Sequence, residues 1–159
     1  MNNLENLGTH AIIEFQPEAF SVKGKKLMGR NSAGSGFLEA YFRYSTDSKQ
    51  RIWIEDQAHA LEFVKQAKEG GSDKPVHVYN KHRTHLIEEA GTIFHAAPGL
   101  SAHAFQRSCY GDDRWSVCGI THTLLSDRVM DALVCMVTAP VQEWDAVVCT
   151  SSVACSVVV

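Results

Sequence analysis

The sequence predicts an α/β protein with a mainly parallel sheet, and three observations support that fold class. Short apolar runs alternate with segments of helical period, turn residues separate the two, and the alternation repeats about six times. The chain has 159 residues, which is enough for one domain with a real core and too few for two. We therefore expect a single domain over residues 1–159.

Six short apolar runs bounded by turn residues are predicted to be strands. They are residues 10–15, 51–54, 75–79, 92–95, 115–122 and 144–150. Helices are predicted at 37–44, 56–68, 84–90 and 100–107, and from Ser126-Asp127 to Pro140. A covering helix should follow Thr150-Ser151-Ser152, but the chain stops at an apolar run, Val157-Val158-Val159. Core surface would then face water, so the sequence indicates a truncated domain.

The composition is that of a globular protein and excludes several classes. Hydrophobic residues make up 45% and charged residues 21% of the chain, with a net charge of −3. A nucleic-acid or anionic-lipid partner is therefore not expected. No run reaches the about 18 apolar residues of a membrane span, and no secretory signal opens the chain. Five irregularly spaced cysteines indicate buried, reduced thiols in a cytoplasmic protein; they are Cys109, Cys118, Cys135, Cys149 and Cys155.

A basic, glycine-bearing loop over 23–36 is the first candidate for binding. Gly29, Gly34 and Gly36 would let the backbone turn tightly and approach a ligand, and amides at a helix N-terminus attract phosphate. The spacing matches neither the dinucleotide fingerprint nor the phosphate loop of nucleotide triphosphatases. A ligand role and a flexible surface loop both remain open.

Two polar segments follow predicted strands, where ligands of open α/β sheets bind. Thr121-His122-Thr123 ends one strand, and His122 could hydrogen-bond a sugar hydroxyl or shuttle a proton, or merely satisfy a loop carbonyl. Thr150 and Ser151 follow the last strand and could offer hydroxyls to a ligand, or be a plain helix cap.

A histidine cluster raises the question of zinc. His82 and His85 have a usable spacing, with His77, His95 and His103 nearby. Arg83 would oppose a cation, and no cysteine pair or acidic partner has a supporting spacing. Solvated loop histidines are the better interpretation, and no metal is expected.

Several blocks, in order along the chain, resemble the N-terminal domain of bacterial glycosyltransferases of the family 4 type. They are the loop at 27–38, Ser116 to Thr123, Met130-Asp131-Ala132, Thr138 to Gln142 and Trp144 to Ser151. The resemblance runs from about Ile12 to Ser152 by the same comparison of motifs. The chain drifts from the pattern after Thr150-Ser151.

The resemblance implies half of a GT-B enzyme, in which two Rossmann-like domains face each other across a cleft. Each would have an open, mainly parallel sheet with helices on both faces. The N-terminal half mainly holds the acceptor, a sugar, lipid or small metabolite, and the missing C-terminal half grips the nucleotide-sugar donor. Transfer is typically retaining and needs no metal or other cofactor.

Site roles follow from the same resemblance. Gly34, Ser35 and Gly36 would lie under the donor phosphates, and His122 would face the transferring sugar beside Thr121. Thr150 and Ser151 would lie on the cleft wall. Two alternatives remain: a non-catalytic truncated fragment, and a stand-alone nucleotide-binding α/β module, which only the glycine loop and the fold type favour.

Overall fold

The computed structural model describes residues 10–21, 29–122, 124 and 126–158, and the side chains of Gly29 and Arg30 are not described. The strands are β1 (His10–Glu14), β2 (Gln50–Ile54), β3 (Val76–Asn80), β4 (Gly91–His95), β5 (Ser116–Ile120) and β6 (Ala146–Val148). The helices are α1 (Pro17–Phe20), α2 (Gly29–Tyr44), α3 (Gln57–Glu69), α4 (Ser101–Ser108), α5 (Asp127–Cys135) and α6 (Ser152–Val158), with a 3₁₀ helix at Lys81–Glu89.

The six strands form one parallel sheet in the order β3-β2-β1-β4-β5-β6, with helices around it. This confirms the predicted fold class, an α/β protein with a Rossmann-like open sheet. Among the described residues, no helix has both the length and the apolar composition that crossing a bilayer requires. Contacts divide the chain into two compact units, and each has its own core.

The N-terminal unit, residues 12–83, is built on β2, β3 and most of β1. Its core is aromatic, because Phe15 packs on Phe20 at 5.4 Å between ring centroids and meets Phe63 edge-on at 5.1 Å. Phe42 of α2 contacts Phe63 edge-on at 5.4 Å. Such pairs stabilise by about 0.5–1.5 kcal/mol each beyond burial, so they fasten α1, α2 and α3 together.

The C-terminal unit holds residues 84–159 together with the start of the chain through Ala11. Ile93, Leu100, Trp115 and Val117 are buried in it. Gly119 lies so close to the Ala97 carbonyl oxygen that a Cβ on this residue would be only 2.5 Å from it, so only glycine fits in β5 there. The loop before α4 therefore packs directly on the strand.

The helix boundaries correct several predictions. The loop expected at 23–36 is helical from Gly29, and α1 was not predicted at all. The helix expected at 84–90 is a 3₁₀ helix that starts at Lys81 and is interrupted at Arg83.

The fifth and sixth helices also differ from expectation. α5 ends at Cys135, five positions before Pro140, and the chain continues in tighter turns, with the amides of Met136 and Val137 bonded three residues back. The residues after Ser151 form α6, although the sequence indicated that no helix follows.

Much apolar surface of the C-terminal unit is exposed. None of the described residues of α5 is buried, and Val134 and Val137 near its end are 66% and 85% exposed. Val148 in β6 and Val153 in α6 are exposed as well. The presence of α6 therefore does not cover this part of the molecule.

Candidate functional site

Four of the predicted site residues lie together at the carboxyl ends of two neighbouring strands. β5 and β6 pair in parallel, with Ile120 opposite Val148. Thr121 and His122 follow β5 directly, and Thr150 and Ser151 follow β6. Open α/β sheets bind ligands at this edge.

Thr121 is the residue that joins the two strand ends. Its side-chain oxygen accepts a hydrogen bond from the Thr150 amide at 3.0 Å, and its own amide donates to the Val148 carbonyl at 2.9 Å. The Thr121 and Thr150 hydroxyl oxygens are 3.3 Å apart. Since Thr121 is only 1% exposed, it positions Thr150 and does not itself reach a ligand.

Ser151 caps the last helix. Its sequence position allowed either this role or the binding of a ligand through its hydroxyl. Its hydroxyl oxygen accepts from the Ala154 amide at 3.1 Å, and its carbonyl accepts from the Cys155 amide at 3.0 Å. The Ser151 side chain is exposed and keeps its hydroxyl proton for a further acceptor. Thr150 and Ser151 therefore present hydroxyls at the surface, and the half-buried His122 follows Thr121 at the end of the neighbouring strand.

Gly34, Ser35 and Gly36 lie in the N-terminal unit, well inside α2. Amides free to bind an anion belong to the first turn of a helix, which here begins at Gly29. Close packing explains why residue 34 is a glycine, because a Cβ there would lie 2.0 Å from the Ala19 carbonyl oxygen. Backbone amides at these three residues are inside the helix and are not placed to bind a phosphate. Their predicted contact with the donor phosphates stays a prediction.

Ser35 also lines a small cavity of about 180 Å³ between α2 and α3. Phe20, Leu38 and Phe42 form its apolar part, and Glu39 and Gln66 lie at its polar part. The cavity is wide enough for several waters, each of which occupies roughly 30 Å³ in the liquid.

A charged group at the ends of β1 and β3 was not predicted. Lys81 Nζ lies 2.7 Å from Glu14 Oε1 and 5.2 Å from the centre of the Trp53 ring. Glu55 Oε2 is 3.9 Å from the same nitrogen. Glu14 is buried, and its carboxylate accepts hydrogen bonds from Lys81 and, at 3.4 Å, from the Gln16 amide, which offset the cost of burying its charge. The rule that ligands sit at strand ends, applied to Glu14 at the end of the first apolar run, could have found this group.

The histidines match the expected solvated loop residues in part. His77, His82 and His85 are exposed, although His77 lies on β3, where its ring contacts that of Tyr79. His103 is buried in α4, where its ring meets that of the partly covered His95 at 4.8 Å. Each ring could supply one metal-ligating nitrogen, but a structural zinc site takes four ligands. That no metal is needed stays a prediction.

The cysteines also correct an expectation. All five thiols are free, but Cys109, Cys135 and Cys155 are exposed, and Cys118 and Cys149 are only partly covered. Burial raises the pKa of Cys118, which sits in β5. Apolar runs therefore predicted the burial of these residues wrongly, because the elements that carry them, α5 and α6 above all, lie at the surface.

Comparison with known proteins identifies no relative: no family model, no curated protein and no solved structure matches this chain. The side chains at the strand ends are therefore the basis for a functional proposal.

Proposed function

We propose that this chain is the acceptor-side half of a GT-B-type glycosyltransferase. In the proposed reaction a sugar passes from a nucleotide-sugar donor to an acceptor, with retention and without a metal. The observation that carries the proposal is the group of Thr150, Ser151 and His122 on adjacent strand ends, with Thr121 holding Thr150 in place.

The chemistry of this group suits an uncharged, hydroxylated ligand. Two exposed hydroxyls and an imidazole can each donate or accept hydrogen bonds with a sugar, and His122 has the chemistry to move a proton near neutral pH. No lysine or arginine is among these four residues to bind a diphosphate. A sugar acceptor therefore fits this edge better than the donor does, and the blocks that resemble family 4 enzymes support the same assignment.

The donor side would come from a second, facing domain. Correct orientation of two reactants is worth about 7–11 kcal/mol of the barrier, so the half alone should transfer almost nothing. The free thiols support a cytoplasmic location as part of the same proposal.

Saturation-transfer NMR on the purified chain tests acceptor binding, with a panel of free sugars and glycosides as probes. We expect contact with at least one sugar, and at least tenfold weaker binding in Thr150→Val and in His122→Ala. Thr138→Val is the matched control, since Thr138 is exposed after α5 and its hydroxyl bonds only the Cys135 carbonyl. Equal loss in all three variants, or unchanged binding in the first two, contradicts the proposed site.

A stand-alone nucleotide-binding module is the second candidate. The strand order is the one found in dinucleotide-binding domains, which favours it. Residues 15–20 after β1 contain no glycine, and that turn carries the fingerprint in such domains. Calorimetric titration with nucleotide sugars and free nucleotides separates the two candidates. Micromolar binding of a nucleotide by the folded chain means a module, and no binding agrees with the acceptor half.

A further inference from the structure

The cavity between α2 and α3 in the N-terminal unit has an apolar floor and an acidic rim. Its volume is about 180 Å³. Phe20, Leu38 and Phe42 line it, and each of these side chains is at most 7% exposed. Glu39 and Glu69 also line it, and both are exposed. A ligand would therefore meet apolar side chains at depth and carboxylates at the opening.

The polar groups around this cavity favour a positive charge. Among the described residues that line it, none is a lysine, an arginine or a histidine. Gln66 donates through Nε2 to Glu62 at 3.2 Å, which leaves its Oε1 as an acceptor. Gln66, Glu69 and Gly70 lie at the end of α3, and the C-terminus of a helix carries a partial negative charge. The two carboxylates, the amide oxygen and the helix end therefore all attract a cation.

The apolar floor is suited to an aromatic ring. Phe20 stacks on Phe15 at 5.4 Å between ring centroids. Phe42 meets Phe63 edge-on at the same distance, and a Cβ at Gly70 would lie only 2.7 Å from the Phe42 ring. Both rings are thus held by the core behind them, and aromatic rings pack favourably on a further ring in stacked or edge-on geometry.

The volume limits the ligand to about one ring. An apolar cavity of about 150 Å³ holds benzene, so this one has room for a six-membered ring with a short side chain. Pockets for drug-sized ligands are larger, at about 300–1,000 Å³. The cavity is therefore too small to enclose a nucleotide.

We propose that this cavity binds a small aromatic amine in its ammonium form. The aromatic ring lies on the apolar floor, and the ammonium group pairs with the carboxylates of Glu39 and Glu69 at the rim. Gln66 Oε1 is the acceptor for its third N–H. The same carboxylates repel phosphate, so this site differs from the phosphate contact predicted for Ser35.

The cavity does not depend on the proposed sugar transfer. All of its lining residues belong to the N-terminal unit, and none of them is among the hydroxylated residues and the histidine at the ends of β5 and β6. Binding of an amine and binding of a sugar are therefore separate measurements, and either can fail without the other.

Titration of the ¹⁵N-labelled chain with phenethylammonium, followed through the amide chemical shifts, tests the proposal. We expect saturable shifts centred on residues 35–42 and 66–70. The matched ligand 2-phenylethanol has the same ring and chain without the charge, and it should bind about tenfold more weakly because it loses two exposed ion pairs. Phenylacetate and inorganic phosphate should leave these amides unshifted.

Substitutions at the rim test the charge. Glu39→Gln and Glu69→Gln should each weaken phenethylammonium binding about threefold, because an exposed ion pair contributes little, and should leave 2-phenylethanol binding unchanged. Glu55→Gln is the matched control, since Glu55 is an exposed glutamate of the same unit that does not line the cavity, and it should change neither affinity.

Filling the cavity tests its location. Ser35→Leu adds an apolar side chain to the lining and should remove the binding of both ligands. Ser32→Leu makes the same change at an exposed position of α2 outside the cavity and should keep it. Circular dichroism checks that both variants are folded. The absence of saturable shifts, equal affinities for the ammonium and the alcohol, or phosphate shifts at the same amides overturn the proposal.

Discussion

Arg107 is a charged residue whose side chain has no exposed surface. Its guanidinium forms two parallel hydrogen bonds with Asp145, at 2.6 and 2.8 Å, and also donates to the carbonyls of Trp115 and Pro140. Asp145 in turn accepts from the amides of Val117 and Gln142. One buried pair thus connects α4, β5 and the segment that leads into β6.

Removing one charge from this pair should destabilise the protein strongly. In Asp145→Asn the guanidinium stays buried without its counter-charge, and such a loss costs about 3–5 kcal/mol. Urea unfolding followed by circular dichroism measures the change. Glu88→Gln is the control, because it breaks the exposed Arg114–Glu88 pair, and it should leave the unfolding midpoint in place. Similar midpoints for the two variants contradict this role of Arg107.

Single residues also show which part of the candidate site could be predicted from the sequence. Thr121, His122, Thr150 and Ser151 were predicted because polar residues after apolar runs mark strand ends, and the structure places them there. The Lys81–Glu14 pair joins residues 67 positions apart. Such a contact depends on which strands are neighbours, and the sequence did not predict the strand order.

At the scale of elements, strands were predicted better than helices. The runs at 51–54 and 75–79 match β2 and β3 within one residue, because a buried parallel strand is a short apolar run whatever surrounds it. The start of α2 was missed because Gly34 and Gly36 suggested a loop. The reason for Gly34 is a close approach to Ala19 in α1, and local sequence carries no sign of that contact.

The two glycines of α2 should respond in opposite ways to alanine. In Gly34→Ala the new methyl group meets the Ala19 carbonyl, and overpacking of this kind costs about 1–3 kcal/mol. At Gly36 nothing lies within 4 Å of the position that a Cβ would take, so Gly36→Ala should stabilise the helix by about 0.5–1 kcal/mol. Thermal unfolding of the two variants measures both effects. Equal shifts of the same sign would mean that the α1–α2 contact is not as close as described.

For the whole molecule, the exposed apolar residues of the C-terminal unit should cause self-association. Val134 and Val137 are largely exposed, and uncovered apolar patches favour association. Sedimentation velocity at rising protein concentration should show species larger than the monomer, and Val134→Lys/Val137→Lys should reduce them. Leu61→Lys replaces an equally exposed apolar residue of α3 in the other unit and should change nothing. A wild-type chain that stays monomeric contradicts the expectation.

The pairing of β6 limits the form that such association can take. The Val148 carbonyl already accepts from Thr121, so the backbone of Val148 faces β5, and in a strand only alternate residues face the other way. Among the three residues of β6, Val147 is therefore the one whose backbone groups face away from β5. Its carbonyl is also contacted by the Cys149 thiol at 3.8 Å. A second chain would find almost no template for extending the sheet. Clusters of this protein should therefore form through side chains, remain reversible on dilution, and lack the cross-β order of amyloid.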